Sequence, residues 1–205
     1  MVEDTPVEPM ASEQDILKHD LAILKTMSAG IDEYLRGGAT WWDMGHPDMP
    51  LLTIGGFLMR RRRLHLVEYL LHDSEREALA MANAHYDQLV SGQIVRFEER
   101  GLAEIGARMR EWTVYLRDLM VSNRLAADTA RYDYLADTRV VISELVHKLS
   151  ESPFKLPEHI PVDIAALDRR LSIRWSAGAF IWSPVWMAAY PPDTYWWLYG
   201  HPKVD

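Results

Sequence analysis

"TIGGFLMRRRRLHLVEYLLH" (Thr53–His72) is the stretch whose reading decides the fold. Thr53 reads as a helix N-cap, because its hydroxyl can accept a free backbone N–H of the first turn. Projected at about 100° per residue, the four arginines separate. Arg61, His65, Glu68 and His72 fall in one narrow stripe, while Phe57, Leu58, Leu64, Leu66, Val67, Tyr69, Leu70 and Leu71 cover most of the remaining circumference. A helix apolar on so much of its surface is buried on several sides, which makes it the central helix of a bundle. The pattern predicts that it runs to about His72. Arg60 and Arg63 fall inside the apolar arc, so both are expected to be partly buried and paired, because an unpaired buried charge is prohibitive.

Helical spacing continues on both sides. Ser12 is a plausible cap for a first helix carrying Ile16, Leu17, Ile23, Leu24, Met27, Ile31, Tyr34 and Leu35, closed by Gly37-Gly38. A loop, "ATWWDMGHPDMP" (Ala39–Pro50), leads to Thr53. After His72, Ser74 with Glu77 reads as a capping box. A third helix then carries Leu79, Tyr86, Val90 and Phe97, with a break expected at Gly101. A fourth carries Leu102, Ile105, Met109, Trp112, Leu116 and Leu119, followed by a turn at Ser122-Asn123. A fifth spans roughly 127–149. The prolines of "SESPFKLPEHIP" (Ser150–Pro161) forbid continuous helix, and Pro161 opens a short sixth helix. From Trp175 onward apolar residues lose any helical period, and five of the eight tryptophans fall there.

Strand signals are nearly absent, so the expectation is an all-α bundle of five to six helices with an irregular aromatic-rich C-terminal segment packed on it. Residues 1–11 are expected to form a flexible tail, 12–174 the bundle, and 175–205 an extension of the same domain.

Composition narrows the function. With 205 residues, 48% of them hydrophobic and 25% charged, the chain is long enough and apolar enough for one well-buried core. A net charge of −8 argues against a nucleic-acid partner, since duplex affinity rests on neutralising phosphates. There is no cysteine, hence neither a disulfide framework nor a thiolate metal site. The acidic start does not read as a signal peptide and no apolar run reaches a membrane span, so a cytoplasmic protein without membrane contact is expected.

No motif specifies a reaction. G-x-S-x-G, G-x-G-x-x-G and the phosphate loop are all missing, and no catalytic residue is assigned. Glu144 and His147 form one E-x-x-H pair, but a di-iron bundle needs two plus further glutamates. His65, Glu68 and His72 lack a fixed third imidazole. No metal or cofactor is expected.

Two candidate surfaces remain. The first turn after Thr53 should offer free N–H groups, and Gly55-Gly56 permits close approach, so an anionic or aromatic ligand could be held by Trp41, Trp42, Asp43, His46, Gly55, Gly56, Arg60 and Arg63. Against this stands internal pairing of Arg60 and Arg63 with Asp133, Asp137 or Glu144 of helix five, or with Asp43 or Asp48. A further alternative lays the arginine stems over apolar surface with their heads in solvent. The second surface is aromatic: Trp182, Trp186, Tyr195, Trp196 and Trp197 suit an interface, or a lid over the end of the bundle.

"PLLTIGGFLMRRRRL" (Pro50–Leu64) and "FIWSPVWMAAYPPDTYWWLYG" (Phe180–Gly200) resemble segments of bacterial all-helical proteins of unknown function. The resemblance implies that both segments belong to one family design, and it implies no activity. Three readings follow, in this order: a non-enzymatic helical module that binds a protein partner or self-associates; a bundle with a small-ligand pocket near Thr53–Arg63; a metal-dependent bundle enzyme.

Overall fold

A computed structural model describes residues 12–121 and 125–203. The expected N-terminal tail and the Ser122-Asn123 turn lie outside them. Among the described residues the chain forms six α-helices: α1 (Glu13–Arg36), α2 (Ile54–Leu66), α3 (Asp73–Gly92), α4 (Ile94–Val121), α5 (Leu125–Leu149) and α6 (His159–Ile173). A short antiparallel pair follows, β1 (Trp175–Phe180) and β2 (Tyr199–Pro202). None of these helices is long and apolar enough to cross a membrane.

Helix α1 starts where its chemistry says it should. The Ser12 hydroxyl accepts the Asp15 N–H, and the Asp15 carboxylate accepts the Ser12 N–H in return. At the other end the Gly37 N–H bonds the carbonyls of Glu33 and Tyr34. A β-carbon at Gly37 would stand 2.9 Å from the Trp42 ring, so the glycine lets the following loop fold back on the helix. Reciprocal backbone hydrogen bonds between Trp42 and Leu52 close that loop.

Helix α2 is the centre of the bundle, packed against α1, α4, α5 and the C-terminal segment. It ends at Leu66, short of the expected His72, and a single 3-10 turn (Glu68–Leu70) follows. Val67 and Leu71 still reach the core, whereas Leu66, Tyr69 and Leu70 are left at the surface. Apolar residues at nearly every position carry no unique period, so the pattern could not locate this end. Gly55 makes the central placement possible, because a β-carbon there would lie 2.3 Å from Val141 Cγ1 of α5.

Three further expectations need correction. Helix α3 begins at Asp73, where the His72 N–H donates to Glu75, so Ser74 and Glu77 are not the capping pair. The break between α3 and α4 falls at Gln93, not Gly101. Gly101 lies inside α4, where a β-carbon would be 3.1 Å from Leu149 Cδ1, so the residue serves close approach of α4 to α5. The C-terminal segment is also more ordered than its composition suggests: β1 pairs with β2, and two 3-10 turns (Pro184–Ala189 and Trp196–Leu198) lie between them. Gly200 has φ +138, and a β-carbon there would meet the Ser176 carbonyl, so this strand crossing requires glycine.

Candidate functional site

The first turn of α2 is already occupied from within. Thr53 caps it, its hydroxyl accepting the Gly56 N–H at 2.9 Å. The Gly55 N–H donates to Glu104 Oε2 of α4, also at 2.9 Å. Glu104 is wholly buried, and its other oxygen is shared by Nε and Nη2 of Arg108, both at 3.3 Å. Burial raises the Glu104 pKa, while Arg108 and the Gly55 N–H oppose the rise. An external anion at this helix end would therefore compete with a carboxylate of the chain itself.

The central arginines find their partner on α1, not on α5 or in the loop. Two donors of Arg63, Nε and Nη2, bond the two carboxylate oxygens of Asp20. Arg60 Nε lies 3.3 Å from Asp20 Oδ1, and its Nη1 donates to the Gly56 carbonyl at 3.1 Å. Side-chain exposure is only 12% for Arg60, 13% for Arg63 and 4% for Asp20, so one buried carboxylate serves two cations. Arg63 also lies over the Trp186 ring, 4.7 Å from its centroid. Arg61 leaves this cluster for a bidentate pair with Asp87.

Next to the cluster is a cleft of about 570 Å3. The α1–α2 loop contributes Trp41, Pro50 and Leu51, and α2 contributes Thr53, Gly56, Met59 and Arg60. Ala107, Arg108 and Glu111 line it from α4; Tyr134, Asp137, Thr138 and Val141, at i, i+3, i+4 and i+7, line it from α5. Its volume falls in the range of small-molecule sites. Two arginines and two carboxylates share its wall. Glu111 is held by the Thr138 hydroxyl at 3.0 Å. Asp137 has no hydrogen bond and no ion pair among the described residues, and burial raises its pKa against the opposing pull of Arg63 and Arg60. Trp41 and Tyr134 are 43% and 76% exposed, so large aromatic surface stands at the cleft.

The residues singled out from sequence divide. Trp41, Gly56 and Arg60 line the cleft. Trp42 packs on Gly37, Asp43 accepts the Gly45 N–H at 2.8 Å, His46 is exposed, Gly55 is buried against α5, and Arg63 turns to Asp20. The sequence pattern singles out none of Arg108, Glu111 and Thr138, groups Tyr134 with the apolar side of helix five although it is 76% exposed, and offers Asp137 only as an internal partner. A signal existed: Phe97, Gly101, Glu104, Arg108 and Trp112 follow seam spacing, which sets a Glu–Arg pair on the buried side of α4.

The aromatic segment spends its rings within the chain. Trp186, Tyr195 and Trp197 are buried, and Trp182 and Trp196 are half-buried. The Tyr195 hydroxyl donates to Glu144 Oε1 at 2.7 Å, the Tyr132 hydroxyl to the Trp197 carbonyl, and Arg62 Nε to the Ala189 carbonyl at 3.0 Å. Arg139 stacks 4.1 Å above Trp197 while held by Asp168. A second depression, about 460 Å3, is lined by Arg61, Arg62, Glu144 and Lys148. Its cations are paired with Asp87, Glu144 and Glu151. Among the described residues no group of three or more histidines and carboxylates is placed to hold a metal ion.

Compared with known families, curated proteins and solved structures, the chain matches none.

Proposed function

We propose that the chain is a ligand-binding helical domain that holds a small polar molecule in the cleft between the α1–α2 loop, α2, α4 and α5. The observation that carries this reading is Asp137. It is a half-buried carboxylate that lines the cleft beside two arginines, with no hydrogen bond or ion pair of its own among the described residues. A partly desolvated carboxylate left unpaired at a concave surface, with its pKa raised by burial, is a functional-site candidate. The aromatic segment supports the interface reading less well, because most of its rings are buried against the chain's own bundle.

The test is a fragment screen by ligand-observed NMR and thermal shift on the wild type and on Trp41→Ala and Asp137→Asn. Binders that raise Tm in the wild type and lose affinity in both variants are the expected result. Binders indifferent to both substitutions, or no binder at all, would overturn the assignment.

A further inference from the structure

Resting on that reading, we infer that the molecule held in the cleft is a small zwitterion, with its amine at Asp137, its carboxylate at Arg60 and Arg108, and an apolar or aromatic remainder against Trp41, Leu51 and Tyr134. Charge balance in the wall is the first argument. Arg60 of α2 and Arg108 of α4 are matched in number by Asp137 of α5 and Glu111 of α4. A lone carboxylate would gain the arginines but bring an uncompensated charge beside Asp137 and Glu111. A lone amine would gain Asp137 but face both guanidinium groups. A molecule carrying both charges offers a counter-charge to the arginines and to the carboxylates and adds no net charge to a partly desolvated site.

The free bonding capacity matches the same pattern. Arg60 sets Nε 3.3 Å from Asp20 as an ion pair without a hydrogen bond and spends Nη1 on the Gly56 carbonyl, and among the described residues Nη2 makes no hydrogen bond. Arg108 uses Nε and Nη2 on Glu104, which leaves Nη1. Both residues line the cleft, so two cationic donors and one unpartnered carboxylate remain for an occupant. Arginine donors suit a carboxylate, and a charged hydrogen bond is the strong kind. A neutral polar molecule would leave the Asp137 charge without a counter-charge. The exposed Trp41 and Tyr134 rings supply flat apolar surface and can also face a cation.

Three probes separate the charges on one scaffold: L-phenylalanine, phenethylamine and 3-phenylpropanoate, titrated into the full chain at pH 7 by calorimetry. L-Phenylalanine should bind about tenfold or more tightly than either single-charge analogue. Asp137→Asn should weaken L-phenylalanine and phenethylamine by about tenfold and leave 3-phenylpropanoate unweakened, with circular dichroism unchanged. Equal affinity for a single-charge analogue, or indifference of the amine-bearing probes to Asp137→Asn, overturns the inference. If none of the three binds while screened fragments still bind in a Trp41- and Asp137-dependent way, the zwitterion is wrong and the cleft assignment stands. If no fragment binds either, both fall.

Discussion

Glu104 of α4 accepts the Gly55 backbone N–H at 2.9 Å, so the N-terminus of the central helix is satisfied by a residue 49 positions away. This contact joins α2 to α4 and makes Arg108 a dependent of the same carboxylate. Glu104→Ala should therefore cost about 3 kcal/mol in denaturant unfolding, because it strands a half-buried guanidinium and a buried backbone donor together. Glu104→Gln keeps an acceptor for Gly55 and should cost clearly less.

Asp20 offers a separate test. Asp20→Ala leaves both Arg60 and Arg63 without their partner, and a loss of about 3–5 kcal/mol is expected. A double-mutant cycle with Arg63→Met should show strong coupling, the pair of changes costing much less than the sum of the single ones. Additive losses would show that the ion pair does not organise the α1–α2 contact.

Asp137 should respond to pH. Its carboxyl titrates above the ordinary value of 3.8 in the folded chain, raised by burial. The folded state then binds its proton more tightly than the unfolded chain does, so this residue makes stability fall as pH rises from the unfolded value through the raised folded one. Asp137→Asn removes the fall. The variant should melt higher than wild type at pH 7, by roughly 2–4 °C for each kcal/mol relieved, and the difference should vanish below about pH 4.

Gly55→Ala should destabilise far more than an alanine in a helix usually does. The added methyl would lie 2.3 Å from Val141 Cγ1 and 3.0 Å from both Glu104 Oε1 and Leu145 Cδ1. Overpacking of this kind costs about 1–3 kcal/mol or more. Gly101→Ala, which meets only the end of Leu149 at 3.1 Å, should be milder.

Tyr195→Phe removes the hydroxyl that donates to Glu144, a buried carboxylate whose cationic neighbour, Arg62 Nε, is 3.6 Å away. A loss of about 1–3 kcal/mol is expected from the unsatisfied acceptor. Limited proteolysis should show the 175–202 segment cut earlier than in wild type.

Much of the bundle was legible because caps and apolar periods are local. Ser12 and Thr53 both cap the helices that they appeared to cap. What could not be read is which helix lies beside which. Asp20 follows Leu17 and precedes Leu24 on the buried face of α1, so its burial had a signal, but no spacing says that it meets Arg63. The cleft was legible only in part, for the same reason: its walls come from a loop and three helices, and the stretch from Trp41 to Arg60 holds the loop and α2 walls but says nothing of those from α4 and α5. The strand pair escaped because "WSAGAF" and "YGHP" show no alternation; they are held by pairing rather than by propensity.

The ribbon at the end of the chain is a cross-link made without sulfur. Trp175 pairs with Pro202, and just outside them the Lys203 N–H bonds the Arg174 carbonyl, so the neck of a long loop is tied at both of its ends. Closing a loop costs entropy that rises only slowly with its length, and here backbone hydrogen bonds offset that cost in a chain with no cysteine. Everything between the ties, including both 3-10 turns and the tryptophans that brace α2 and α5, is thereby committed to leave or dock as a single piece.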